Sequence, residues 1–237
     1  SLAYGNGILY ALRGGGAQDF WRYVPTLDIW EVLDSTPSPV RGGGSLTFNT
    51  NDAKVYAFQG GGSNAFWRYD PTTNTWDTSL SSLPGVLTAK SGASLAFSSS
   101  NNNIYALIGG NAQDFLQYQP SSNSWLIFDP TNIPVNVGPG GSLTFDNLNG
   151  FFYALVGGGA ADLYEYSVSS DSWNAQADFP LSYPRPITIE ILDSIDNSLR
   201  LLEGLTDPAS YSFAFTYDGT IELDGHIPQD GSGYVSG

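Results

Sequence analysis

Three basic residues stand at the same place in the sequence pattern, each shortly before a predicted strand. Arg41, Lys90 and Arg185 are three of only eight Lys and Arg residues in the 237-residue chain. Placed alike at successive strands, they could form a ring of cations that receives an acidic or polyhydroxyl ligand. The alternative is ion pairing with acids of loops expected on the same face, namely Asp19, Asp114, Asp162 and Asp207. We favour the pairing, because charges that recur with a repeat more often serve the repeat than a ligand.

Two acids break the sequence pattern. Glu190 stands where the equivalent residues are Thr47, Ala96 and Thr144, and Glu203 where they are Arg13, Gln59, Ile108 and Val156. A buried carboxylate with a raised pKa could act as a general acid. For Glu203 we favour a pairing with Arg13, which becomes a neighbour if the first and last repeats meet. For Glu190 both interpretations stay open.

The residue types give little support for a metal site or for a catalytic nucleophile. The chain has no Cys and one histidine, His226, and the acids near it, Asp218, Glu222 and Asp224, follow no ordered ligand pattern. The glycine runs lack the Gly-Lys-Ser/Thr of a phosphate loop. We therefore predict no metal site, no cofactor and no catalytic triad.

These residues belong to a sequence that repeats. Tyr10, Tyr56, Tyr105 and Tyr153 follow one another at intervals of 46, 49 and 48 residues. In every copy a second Tyr follows after 13 residues and a Trp after 7 more, at Trp30, Trp76, Trp125 and Trp173. A fixed period of this size predicts a repeat architecture, and these tryptophans are predicted to pack between repeats.

The repeat resembles the kelch repeat of β-propellers. The second copy carries the marks of that family in order: Gly60-Gly61 ending a strand, the turn Tyr69-Asp70-Pro71, and then Trp76. Four copies are clear and a fifth is degraded, with Ile221 where a Trp should stand and a longer loop over residues 205–212. The resemblance implies an all-β, five-bladed propeller of four-stranded antiparallel blades. It implies little about function, because the fold hosts both binders and enzymes.

Composition sets limits on the organisation and the partners. The repeats run end to end, so we predict a single domain over residues 1–237, with 225–237 a tail that adds a strand or begins a further repeat. A formal charge of −15 argues against nucleic acid as a partner. No apolar run reaches the roughly 20 residues of a membrane span. The acidic, Lys-poor composition is typical of an extracellular or cell-surface protein.

Three functions remain open from the sequence. The first is a non-catalytic extracellular module that recognises carbohydrate or protein through the face with variable loops. The second is a structural subunit of a surface layer or fibre, which would self-assemble through the C-terminal strand because an unpaired strand is a template for another chain. The third is a sugar-processing enzyme that uses an acid such as Glu190. We rank them in that order.

Overall fold

The computed structural model describes residues 1–128 and 132–178 in full, and the backbone alone of four strands at 189–191, 199–201, 212–215 and 221–224. Every regular element in these residues is a β-strand. The chain divides into two compact units, Ser1–Phe179 and Pro180–Gly237.

The first unit consists of four blades, each a four-stranded antiparallel sheet whose strands follow sequence order. Blade 1 contains β1 (Leu2–Gly5), β2 (Ile8–Leu12), β3 (Phe20–Val24) and β4 (Ile29–Val32). Blade 2 contains β5 (Ser45–Asn49), β6 (Lys54–Phe58), β7 (Phe66–Asp70) and β8 (Thr75–Asp77). Blade 3 contains β9 (Ser94–Ser98), β10 (Asn103–Leu107), β11 (Phe115–Gln119) and β12 (Ser124–Ile127). Blade 4 contains β13 (Ser142–Asp146), β14 (Phe151–Leu155), β15 (Leu163–Ser167) and β16 (Ser172–Ala175).

The strict sequence spacings have a structural cause. Seven residues place Tyr69 directly opposite Trp76 across the outer strand pair, and the other three blades repeat this register. The Tyr69 hydroxyl donates a hydrogen bond to Asn74 Oδ1 at 2.7 Å, and Asn74 has a left-handed φ of 54°. Asn and Asp tolerate that conformation better than most residues. The same bond closes the turn in the other blades, at Tyr23–Asp28, Tyr118–Asn123 and Tyr166–Asp171.

The innermost strands β1, β5, β9 and β13 lie side by side, which gives the unit its β-propeller arrangement. A serine at or just before the start of each inner strand connects it to the next one. The backbone N–H groups of Leu46, Leu95 and Leu143 each donate to a serine Oγ of the preceding blade at 3.0 Å, on Ser1, Ser45 and Ser94 respectively.

Aromatic rings join neighbouring blades. Phe66 of β7 meets Tyr118 at 4.8 Å and Trp125 at 4.9 Å between ring centroids, both in blade 3. Phe20 and Phe115 make the same contacts across the other two seams. The predicted packing of the tryptophans between blades is therefore confirmed for three of them, Trp76, Trp125 and Trp173.

Among the described residues, no preceding blade packs against blade 1. Leu2 and Tyr4 are 60% and 67% exposed, whereas Leu46 and Phe48 at the same positions of blade 2 are 4% and 6% exposed. Trp30 is 56% exposed, and the described ring beside it is Tyr23 of its own blade. The packing prediction is wrong for Trp30, because no described phenylalanine of a preceding blade reaches it.

The predicted count of five four-stranded blades is also wrong, since the described residues form four. In the second unit β17 (Ile189–Ile191) pairs with β18 (Leu199–Leu201), and β19 (Ser212–Phe215) pairs with β20 (Ile221–Asp224). These are two separate two-stranded sheets, and no ladder joins β18 to β19 within the described strands. The sequence gives a physical reason: the fifth copy has Ile221 where the other copies have a Trp, and its loop over residues 205–212 is longer than theirs. The predicted tail, 225–237, lies outside the described residues.

Candidate functional site

One end of the blades carries the loops between second and third strands and the connections between blades. Isolated β-bridges tie these two kinds of loop together across each seam: Ala17 with Val40, Ser63 with Ala89, and Ala112 with Val137. We call this end the loop face. The opposite end, where the hairpins between first and second strands lie, is the hairpin face.

Arg41 and Lys90 lie at equivalent places on the loop face, just before β5 and β9, and both are exposed. A Cβ on Gly61 would come within 2.8 Å of the Arg41 Cβ and Cδ, and a Cβ on Gly110 within 2.6 Å of the Lys90 Cδ. The aliphatic part of each cation therefore lies across a glycine of its own blade. This contact fixes the direction of the side chain and leaves its charged end in solvent.

The loops that carry the two cations touch each other. A Cβ on Gly43 would lie 2.0 Å from the Lys90 carbonyl oxygen, and Gly43 has a φ of +88°. Only glycine allows this approach, since it has no Cβ and adopts a positive φ without strain. Ser91 lies beside Gly42, at 3.7 Å from the Cβ that would be added there. Arg41 and Lys90 consequently stand on adjoining loops at the seam of blades 2 and 3.

These two cations differ from the other described basic residues. Four cations form ion pairs within their own blades: Arg13–Asp19, Arg22–Glu31, Lys54–Asp70 and Arg68–Asp77. Arg41 and Lys90 form none within residues 1–128 and 132–178. The expected pairing with loop aspartates is therefore not seen for these two side chains in the described part of the chain.

The candidate acids are placed in different ways. Asp19 pairs with Arg13 at 3.0 Å. Asp114 and Asp162 are half-buried at the starts of third strands, and in the described part of the chain neither forms an ion pair. Glu190 is described through its backbone alone, opposite Arg200 in the β17–β18 ladder. Arg185, Glu203 and Asp207 lie outside the described residues.

What sequence reasoning missed is the role of the second glycine of each pair. Gly61 and Gly110 were visible as part of a repeated double glycine, but the contact with the cation depends on a loop some 20 residues earlier in the chain. In blade 4, Gly138 takes the place of the cation, so this arrangement is confined to blades 2 and 3 among the described blades.

The arrangement supports binding of an anionic or hydroxyl-rich group. Two exposed, oriented cations that have no acidic partner in residues 1–128 and 132–178 can donate charge-assisted hydrogen bonds to such a group. No cluster of three or more His, Cys, Asp or Glu that could hold a metal occurs in the described part. Nor does that part contain a helix with the length and apolar character of a membrane span.

Comparison with known proteins supports the fold. No family model and no curated protein matches the chain. Among solved structures, that of YjhT is similar, with a TM-score of 0.57 and 15% sequence identity over 76% of this chain. The chain spans 65% of the length of that structure. At this identity the likeness concerns the fold alone, and the class of protein it supports is a β-propeller.

Proposed function

We propose that the chain is a non-catalytic binding module of an extracellular or cell-surface protein, built from kelch-type repeats. It binds a carboxylate-bearing carbohydrate at the loop face, at the seam of blades 2 and 3. One observation carries the proposal: Arg41 and Lys90 have no acidic partner in the described structure, while the other four described cations do.

The excess of acidic residues over basic ones supports a ligand-binding role for Arg41 and Lys90. The chain has a formal charge of −15, so acids are available to pair with every cation. A basic residue that only stabilised the fold would be expected to form an ion pair. Two such cations on touching loops, each resting on a glycine, create a local positive region on an acidic surface. An anionic ligand would be drawn to this region and away from the rest of the surface.

The test is a titration of the full chain with oligogalacturonate by calorimetry at low salt, with an uncharged oligoglucoside as the matched ligand. We expect oligogalacturonate to bind and the oligoglucoside to bind weakly or not at all at this face. Binding should weaken in 0.5 M salt, because the Debye length falls to about 4 Å and exposed charges are screened. An acidic peptide forms a further arm: binding of the peptide alone would assign the face to a protein ligand. If neither anion binds at low salt, the proposal fails.

A further inference from the structure

A polar cavity opens on the hairpin face, at the same seam of blades 2 and 3 but at the opposite end from Arg41 and Lys90. Its volume is ≈ 470 Å³. Blade 2 contributes the hairpin of Asn49, Asn51 and Asp52 together with Arg68 of β7. Blade 3 contributes its own hairpin, residues 101–103, and the turn at 120–121. A volume in the range of small-molecule pockets raises the question of what would fill it.

The hairpins that form the walls are held in place by their own hydrogen bonds. Asn49 is 1% exposed, and its Oδ1 accepts the backbone N–H of Asn51 at 2.8 Å. The Tyr56 hydroxyl donates to Asp52 Oδ2 at 2.6 Å. Asn101 Nδ2 donates to the hydroxyl of Tyr105 at 2.8 Å. The cavity is therefore preformed, and little ordering would be needed when a ligand binds.

The cavity persists because the two hairpins do not bond to each other. At the neighbouring seam, Ser99 Oγ donates to Asn147 Oδ1 at 2.7 Å and ties the hairpins of blades 3 and 4 together. At the seam of blades 2 and 3 the described hydrogen bonds contain no equivalent link. Instead, the amides of Asn51, Asn102 and Asn103 have no partner among the described residues. Each free amide offers two donors and one acceptor.

The chemistry of the lining defines the ligand. Pro120 is the one apolar residue among the nine that line the cavity, and no aromatic side chain lines it. An aromatic ligand would therefore find no ring to stack on. Arg68 is already paired with Asp77 at 2.7 Å, so its charge is neutralised there and the carboxylate of Asp52 remains at the cavity. An anionic ligand would gain no net attraction, whereas the adjacent hydroxyls of a sugar can donate to and accept from the amides.

We propose that this cavity is a second binding site, which takes a neutral sugar residue through the free amides of Asn51, Asn102 and Asn103. It is independent of the site proposed on the loop face. The two sites differ in ligand class, since one presents cations that have no ion pair in the described part of the chain and the other presents uncharged amides.

The test uses the full chain and saturation-transfer NMR with methyl glycosides of glucose, galactose, mannose, xylose and N-acetylglucosamine at about 10 mM. Methyl glucuronide is the anionic comparison. We expect transfer to at least one neutral glycoside. The double variant Asn51→Ala/Asn102→Gly should weaken that binding by about thirtyfold, as expected when one hydrogen bond worth about 1 kcal/mol is lost at each position. Glycine is chosen at Asn102 because its φ is 60°.

Two further variants complete the design. Ser121→Trp fills the cavity from an exposed turn and should abolish binding, while Asn147→Ala at the neighbouring seam should leave it unchanged. Transfer to no neutral glycoside, transfer to the glucuronide alone, or full binding in a folded Asn51→Ala/Asn102→Gly variant would each overturn the proposal. If Ser121→Trp fails to fold, the asparagine variants decide.

Discussion

Ser45, at the start of β5, accepts the backbone N–H of Leu95 through its Oγ at 3.0 Å. The bond crosses from the inner strand of blade 2 to that of blade 3, and Ser45 is 5% exposed. The serine is thus a connector between blades, and its recurrence before each Leu of the inner strands has a structural reason.

Replacing Ser45 with Ala should destabilise the protein by about 1–3 kcal/mol, because the Leu95 N–H would be left buried without an acceptor. Ser142 is the matched control. It holds the same place in blade 4, and in the described part of the chain no donor reaches its Oγ. Ser142→Ala should change the free energy of unfolding by less than about 0.5 kcal/mol. Urea denaturation of both variants checks this, and equal losses would show that the serine acts within its own strand.

Trp125→Ala should cost about 3 kcal/mol of stability, near the low end of the range for truncating a buried aromatic side chain. The ring packs against Phe66, and its Nε1 donates to the Ser81 carbonyl oxygen at 2.8 Å. Trp30→Ala should cost about 1 kcal/mol or less, since that ring is 56% exposed. The comparison is made by urea denaturation. A loss at Trp30 as large as at Trp125 would show that another surface covers Trp30 in solution.

Gly60→Ala should destabilise more than Gly62→Ala. Both glycines have a positive φ, 73° and 79°, so both substitutions carry the left-handed backbone cost of about 1–2 kcal/mol. A Cβ on Gly60 would also lie 2.4 Å from the Gly44 N, whereas one on Gly62 would meet nothing within 4 Å. We expect a drop in melting temperature for Gly60→Ala that is at least twice that for Gly62→Ala. Similar drops would mean that the loop moves away from Gly60 without cost.

The ion pair of Lys54 with Asp70 predicts a pH dependence. Hydrogen bonds from Lys54 and then from Thr72 hold the pKa of Asp70 well below its usual range. A lowered folded-state pKa stabilises the fold above the unfolded pKa, about 3.9, and this contribution is lost as the pH falls from there toward the folded pKa. Asp70→Asn should therefore be less stable than the parent at pH 6, with a difference that shrinks below about pH 4. A difference that stays constant from pH 6 to pH 3 would contradict this assignment.

Much of the first unit could be predicted from sequence because its determinants are local. The Tyr-to-Trp spacing of seven fixes a cross-strand register, and the turn residues Asn74 and Asn123 adopt the left-handed conformation that their type favours. The packing of a blade against its neighbours, in contrast, depends on residues that are distant in the sequence. Trp30 and Trp76 occupy the same position of the repeat, and their exposure differs because Trp76 packs against Phe20 of the preceding blade, whereas no phenylalanine among the described residues does the same for Trp30.

The candidate sites depend on non-local contacts even more. That Arg41 lies over Gly61 follows from the spatial meeting of two loops, and no acid in the described part of the chain comes close enough to pair with it. The cavity of the hairpin face needs two hairpins, 50 residues apart in sequence, that do not bond to each other. The repeat pattern shows where equivalent positions carry different residues, as with Arg68 in blade 2 and Gln117 in blade 3. It does not show which cavity or contact results from that difference.

The most direct test of the proposed function compares binding and stability in Arg41→Gln/Lys90→Gln, with Arg13→Gln as the control. Arg13 is also an exposed cation of the loop face, but it pairs with Asp19. We predict that the double variant keeps the melting temperature of the parent and loses affinity for oligogalacturonate by at least about tenfold, the equivalent of about 1.4 kcal/mol. Arg13→Gln should bind like the parent. A double variant that binds oligogalacturonate normally but melts at a lower temperature would show that the two cations stabilise the blades and do not form a ligand site.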